Sequence, residues 1–322
     1  VKKGEIVGSR KLGKNFTKER KLYSELSQEF LNILKIRGRS QQTITSYTYH
    51  NKYFMEFLGD KYCEDITLDT LDDYILYMRG VKEIKNGTTI NSYLRNISPI
   101  LKYAMKKGYI LEDFLIPSVK EQETFKAIYT AEELDKLLSK PRKKDFTRYR
   151  SWAIIWVLSS TAIRARELRE LKVKNLDLFN RTILLNFTKN KKARYVPVSE
   201  SLEYVLIDYL EVRKGDGEDY LFPSVYNSQL AMSTLQKVMK NYCNERGIEK
   251  TSLHLFRHTF ITNAVNKNVS PLILQRITGH STMKELNRYY NAKTTDMVNV
   301  IDEIAPRSNK RKVILKKEGN YL

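Results

Sequence analysis

Apolar residues recur at helical spacing through most of this chain. Over 23–36, Leu26, Phe30, Ile33 and Leu34 fall on one face, which predicts an amphipathic helix ended by Gly38. A second helix is expected over 40–58, carrying Ile44, Tyr47, Phe54, Phe57 and Leu58. A third, over 67–78, opens on Thr67 as a cap, and a fourth, over 88–107, stops at Gly108. The polar segment 117–128 has no helical period and reads as a linker between two domains. Beyond it, Thr130 and Glu133 form a capping-box pair ahead of Leu134, Leu137 and Leu138. The stretch 150–160 is apolar on all sides, as a helix buried in a second domain would be. The runs 182–187 and 194–198 are β-rich and flank a basic turn, which predicts a hairpin. Helices return over 201–304. The pattern therefore predicts a mostly α protein with a small β-sheet.

Composition adds a partner class. The chain has 57 Lys plus Arg against 37 Asp plus Glu, a formal net charge of +20 spread along its whole length. With 41% hydrophobic residues it is a folding chain, and a folded chain this basic points to nucleic acid. Cys63 and Cys243 have no CxxC spacing, which argues against a disulfide framework or a zinc site and for a reducing, cytoplasmic setting. No apolar run approaches the roughly 18 residues of a membrane span. The N-terminal stretch is basic without an apolar centre, so it does not read as a signal peptide.

Several residues suit phosphodiester chemistry without a metal or cofactor. Such chemistry needs positive charge where negative charge develops, and arginine can hold two phosphate oxygens at once. Arg164 follows the apolar helix at the turn Thr161, Ala162, Ile163, where a long side chain can leave the core for a cleft. His254 and Arg257 are three apart and share a helix face, whereas His258 falls elsewhere. His280 follows Gly279 in an expected turn between helices. Tyr289 lies nine residues after His280, with Tyr290 as its rival. Lys189 opens the basic turn and could protonate a leaving oxygen, a role for which Lys191, Lys192 and Arg194 compete.

The segments TAIRARELRELK, TKNKKARYVPV, HLFRHTFIT and GHSTMKELNRYY, in this order and spacing, resemble the tyrosine recombinase family of integrases and Xer-type enzymes. The resemblance extends over almost the whole chain. It implies a two-domain clamp on DNA, a helical core-binding (SAM-like) domain plus an α+β catalytic domain. The expected division is a basic arm (1–20), the core-binding domain (21–113), a linker (114–128), the catalytic domain (129–305) and a basic tail (306–322). It implies catalytic roles for Arg164, Lys189, His254, Arg257, His280 and Tyr289, the last as nucleophile. Arg37, Arg39, Ser40, Thr43, Lys191, Lys192 and Arg194 are expected to contact DNA.

The implied partners are double-stranded DNA with inverted-repeat core sites and three further copies of the chain in a tetramer. The apolar stripe of Met297, Val300, Ile301 and Ile304 within 296–304 fits a segment that docks on a neighbouring protomer, with packing on its own domain as the alternative. The implied reaction runs through a 3′-phosphotyrosine and a Holliday junction, for integration or excision of a mobile element or for dimer resolution. The arm before the first helix is short for a separate arm-binding domain, which favours action at short core sites.

Four departures from the family pattern stand out. Ala162 replaces the usual glycine of the turn before Arg164, and Arg166 stands where a small residue is usual. The hairpin lacks the frequent glycines around its lysine, and Lys284, Glu285 and Leu286 replace small hydroxyl residues before the tyrosine. Two other readings compete: a type IB topoisomerase-like relaxing enzyme, and a catalytically silent DNA-binding relative. A basic RNA-binding module is more distant, since no stacking motif is visible.

Overall fold

The computed structural model describes residues 20–121, 127–143, 145–186, 193–280, 282–287 and 289–290. The chain forms two compact units, Val1–Phe125 and Lys126–Leu322. The fold is mostly helical with one small sheet. Among the described residues no helix is long and apolar enough to cross a membrane.

In the first unit, α1 (Tyr23–Ile36), α2 (Gln41–Leu58), α3 (Leu68–Gly80) and α4 (Gly87–Lys107) enclose one core that includes Leu26, Phe54, Tyr74 and Ile97. The capping residues set the boundaries. Ser40 accepts from the Thr43 N–H at the start of α2, and Thr67 and Thr70 form a reciprocal capping box at α3. Gly108 ends α4 in the left-handed conformation. A polar cluster crosses the core: the Tyr23 hydroxyl donates to Asn51 Oδ1 at 2.7 Å, and Asn51 Nδ2 donates to Ser27 Oγ. The segment expected as linker begins packed on this unit. Asn91 donates to the Val119 carbonyl and accepts from its N–H, each at 2.8 Å, while Phe114, Ile116 and Val119 lie against the core.

The second unit is built around α6 (Phe146–Thr161), which follows α5 (Ala131–Leu138). Its Ala153, Ile154, Ile155, Val157 and Leu158 are all buried, as expected of a stretch apolar on every side. After α7 (Ala165–Glu170), β1 (Leu176–Asp177), β2 (Thr182–Leu185) and β3 (Arg194–Pro197) form an antiparallel sheet in that order. Ile183 pairs with Val196, turning both into the core. The expected hairpin is present, and β1 adds a third strand too short to show any alternation in sequence. The helices α8 (Glu200–Arg213), α9 (Met232–Asn244), α10 (Leu253–Asn266), α11 (Pro271–Thr278) and α12 (Met283–Asn287) complete the unit. A separate small core joins α10, α11 and α12 through Ile261, Leu274 and Leu286, with Tyr289 and Tyr290 packed against it.

The turn after α6 shows how the missing glycine is accommodated. Ala162 caps α6 at φ 52°, ψ 24°, in the left-handed region that glycine adopts without strain, and it is fully buried. The conformation survives the substitution at some cost in strain. Ala162→Val would add β-branching and volume at this closed site and is expected to destabilise the protein by about 2 kcal/mol or more. Ala162→Gly, relieved of strain but lacking a buried methyl, should stay within about 1 kcal/mol of the parent. Urea titration of both variants checks the pair.

Candidate active site

The turn at Ala162 delivers Arg164 to the start of α7, half-buried. Its position is fixed by Glu167, one helical turn on. Glu167 accepts from the Arg164 backbone N–H at 2.9 Å and from Arg164 Nη1 at 3.1 Å. The other Arg164 terminal nitrogen, Nη2, donates to the Gly279 carbonyl at 3.2 Å. Glu167 is itself 3% exposed and takes a second, forked pair of bonds from Arg194, at 3.0 and 2.9 Å. Burial alone would raise the proton affinity of this carboxyl. The bonds from Arg194 and the Arg164 N–H, with both guanidinium charges, outweigh that and hold it below its ordinary value.

Arg194 was expected on DNA. The structure places it inward, at the start of β3, with its terminal nitrogens on Glu167 and a further bond to the Thr278 carbonyl. It thereby ties the sheet to the turn carrying Gly279. That glycine caps α11 at φ 65°, and a Cβ there would lie 2.7 Å from Arg194 Cζ. The guanidinium cannot swing aside without releasing a buried carboxylate. Gly279→Ala is therefore expected to destabilise the protein by about 1–2 kcal/mol from backbone strain alone, and to displace Arg194. Denaturant unfolding of the variant beside wild type tests this.

Arg257 lies on α10, 8% exposed, and donates from Nη1 to the Ala162 carbonyl at 2.5 Å. Its Nη2 lies 3.0 Å from His280 Nε2. Because a guanidinium only donates, Nε2 is the acceptor and the His280 proton resides on Nδ1. That nitrogen lies 2.8 Å from Thr278 Oγ1, which donates onward to the Leu274 carbonyl at 2.6 Å. One run of hydrogen bonds thus fixes the imidazole tautomer and aims the arginine. Burial, and next the charge of Arg164, push Arg257 down to about 10. It stays charged at neutral pH, and a bound anion would relieve both influences.

His254, one turn before Arg257, is exposed and shares the wall of an open cavity with Arg164. Tyr289 is half-buried, with its ring 5.0 Å from that of His258. Tyr290 differs: its hydroxyl donates to the Val269 carbonyl at 2.8 Å, and burial raises its pKa.

Among the expected DNA contacts, Arg37 and Arg39 are exposed between α1 and α2, and Ser40 and Thr43 form the α2 cap described above. Lys189, Lys191, Lys192 and the 296–304 stripe lie outside the described residues. Among the described residues, no group of three or more His, Cys, Asp or Glu is arranged as metal ligands would be. Sequence reasoning missed Glu167 and Thr278. Glu167 was findable, three residues after Arg164 at the first turn of a helix, where a carboxylate reaches back to the capping residue. Thr278 carries no comparable signal.

A helical unit followed by a small-sheet unit that gathers two arginines and a histidine defines a class, and the sequence falls within it. Residues 128–296 match the Phage integrase family and residues 22–120 match the Phage integrase SAM-like domain. The chain belongs to the phage integrase family. The tyrosine recombinase XerA of Pyrococcus furiosus is 26% identical over 275 residues, 84% of this chain and 91% of that protein. The tyrosine recombinase XerD of Listeria monocytogenes is 24% identical over 297 residues, 88% of this chain and 100% of that protein. A solved structure of the Tn1549 transposon integrase in complex with transposon right end DNA shares the fold, at TM-score 0.73 and 20% identity, over 89% of this chain and 100% of that one.

Proposed function

We propose that this chain, a site-specific recombinase by family, cleaves and rejoins DNA strands through a covalent 3′-phosphotyrosine formed by Tyr289. The observation that carries the reading is the convergence of Arg164 and Arg257 beside His280, with Arg257 depressed by burial first and by the charge of Arg164 next. One buried carboxylate, Glu167, stands among Arg164, Arg194 and Arg257, so the cluster keeps a net positive charge, and a scissile phosphate is an anion of suitable shape. As the Tyr289 Oη–P bond forms, the phenol's proton passes to water and the P–O5′ bond breaks. Lys189 is the proposed donor of the proton to the leaving 5′ oxygen. The freed 5′ hydroxyl then attacks the phosphotyrosine of a partner duplex, so the bond energy is retained and no cofactor is consumed.

The partner in this reading is double-stranded DNA with inverted core sites, held by a clamp of the helical domain and the catalytic domain. A tetramer completes two such exchanges, with the 296–304 stripe docking on a neighbouring copy. Its place of action is the cytoplasm, on nucleoid DNA. The DNA named with the Tn1549 integrase and the recombinase names of the Xer relatives support DNA as the partner.

Two assays on one substrate separate the alternatives. A duplex site is first selected from a random library by the protein's own binding. Exchange of labelled ends between two such duplexes is the expected result. Relaxation of a supercoiled plasmid carrying the site, with no exchange, would favour a type IB topoisomerase-like enzyme. Binding with neither activity would favour a silent relative.

A further inference from the structure

The start of α10 carries His254 and Arg257, and its own sequence does little to fix it. Ser252, the cap residue, makes no side-chain cap bond, so the first turn lacks the local anchor that holds α2, α3 and α5. The anchor comes instead from a residue far away in sequence. Tyr129 is buried at 2% exposure against the segment 250–259. Its backbone N–H donates to Thr259 Oγ1 at 3.1 Å, and its hydroxyl donates to the Lys250 carbonyl at 2.9 Å. Its ring lies 4.6 Å from that of Phe256, the neighbour of Arg257. The two bonds therefore bracket His254 and Arg257 along the chain. A second tie runs back the other way. Lys250 Nζ donates to the Ile128 carbonyl at 2.9 Å and to Glu133 at 2.7 Å, and Glu133 also accepts from the Thr130 N–H in the capping box of α5.

Resting on the phosphotyrosine reading above, we infer that Tyr129 is a positioning residue for that reaction: it holds the start of α10 and so aims Arg257 and His254. Core packing alone would need only the ring. The hydroxyl and the backbone N–H add directional bonds to both ends of the segment, and these fix the rotation and rise of the helix start. Arg257 has little freedom to adapt to a shift of α10. It is buried, and its terminal nitrogens are committed to the Ala162 carbonyl and to His280. A misplacement of about 1 Å at a reacting group can cost ~10²-fold in rate, even when its origin lies far from the chemistry. Tyr129 also stands three residues into the second unit, which begins at Lys126. The segment that joins the two units and the helix of Arg257 thus meet at one side chain.

The test compares the same chemical change at two places in one unit. Tyr129→Phe deletes the hydroxyl bonded to Lys250. Tyr209→Phe deletes another buried hydroxyl, on α8, that donates to the Leu221 carbonyl at 2.8 Å. On saturating nicked duplex, Tyr129→Phe should form the adduct about tenfold more slowly with unchanged DNA affinity, and Tyr209→Phe should match wild type. Thr259→Val removes the acceptor of the Tyr129 N–H and should slow the reaction likewise, while Thr259→Ser should restore it. Nitrogen NMR of the histidine rings in the free protein gives a readout that needs no DNA. His280 should show one tautomer, protonated on Nδ1, in wild type and Tyr209→Phe, and a mixture in Tyr129→Phe. Equal adduct rates in the two Tyr→Phe variants would overturn the proposal, because the hydroxyl would then be a stability contact only. So would a Thr259→Val chain that reacts as fast as wild type. Should Tyr129→Phe fail to fold, the Thr259 pair decides. A wild type that binds DNA and forms no adduct would sink the phosphotyrosine reading alone. The His280 spectra then decide the positioning role: a change confined to Tyr129→Phe keeps it, and unchanged spectra in that variant end it.

Discussion

Tyr289→Phe is expected to abolish the covalent protein–DNA adduct on a nicked duplex, and Tyr290→Phe is expected to retain it. The two residues are adjacent, both pack on the small core of α10, α11 and α12, and nothing in composition separates them. Their hydroxyls do separate them. Tyr290 donates to the Val269 carbonyl, and burial raises its pKa, so using it as a nucleophile would break a bond and create a charge in an apolar setting. Tyr289 instead packs its ring 5.0 Å from that of His258, and its spacing of nine residues from His280 is the one that matches the family pattern. The loss in Tyr289→Phe should be total, because phenylalanine has no atom to attack phosphorus, while DNA affinity should hardly change. Tyr290→Phe loses one hydrogen bond, about 1 kcal/mol of local stability. A denaturing gel of both variants beside wild type decides the matter. An adduct that survives Tyr289→Phe and disappears with Tyr290→Phe would transfer the role by one residue and imply that the Val269 bond opens on DNA binding.

The parts of this molecule that were legible in sequence are those written in local rules. Apolar spacing located α1 and α6, and single residues such as Thr67, Gly108 and Thr130 marked where helices begin and end, because capping depends on a residue and its third neighbour. The candidate residues Arg164, His254, Arg257 and His280 stand out through the order and spacing of their motifs, which resemble those of the family, and not through boundary or helix-face position alone.

What sequence left hidden is long-range pairing. Arg194 reads as one more cation of a basic turn, and only the fold shows it forked on Glu167, 27 positions away. The tautomer of His280 depends on Arg257 and Thr278 together, which no window of sequence contains. Ala162 shows a related limit. Propensity alone disfavours alanine at a positive φ, yet the buried turn and its bond from Arg257 hold it there.

Removal of the Glu167 carboxylate should produce the largest stability loss of any single change at this site. The side chain is nearly inaccessible and balances two guanidinium groups, with Arg257 contributing a third positive charge nearby. Glu167→Ala leaves Arg164 and Arg194 facing each other without a counter-charge, and breaking a buried pair in this way typically costs about 3–5 kcal/mol. Glu167→Gln preserves volume but turns a donor toward guanidinium groups that also only donate, so it should fall between Ala and wild type. The pH dependence supplies a second, independent signature. The folded carboxyl lies below its ordinary value of 4.5, so its contribution is fully present above that value and is lost as pH falls below it through the folded value. Denaturant unfolding of wild type should therefore weaken across that acid range, and Glu167→Gln should lack this component. Matching acid profiles for the two would mean the carboxylate is not held ionised by its arginines. Adduct formation by Glu167→Gln should also slow, because Arg164 would be less firmly aimed. That loss should be smaller than the ~10²–10³-fold typical of deleting a transition-state donor outright, since Arg164 itself would still be there to meet the phosphate.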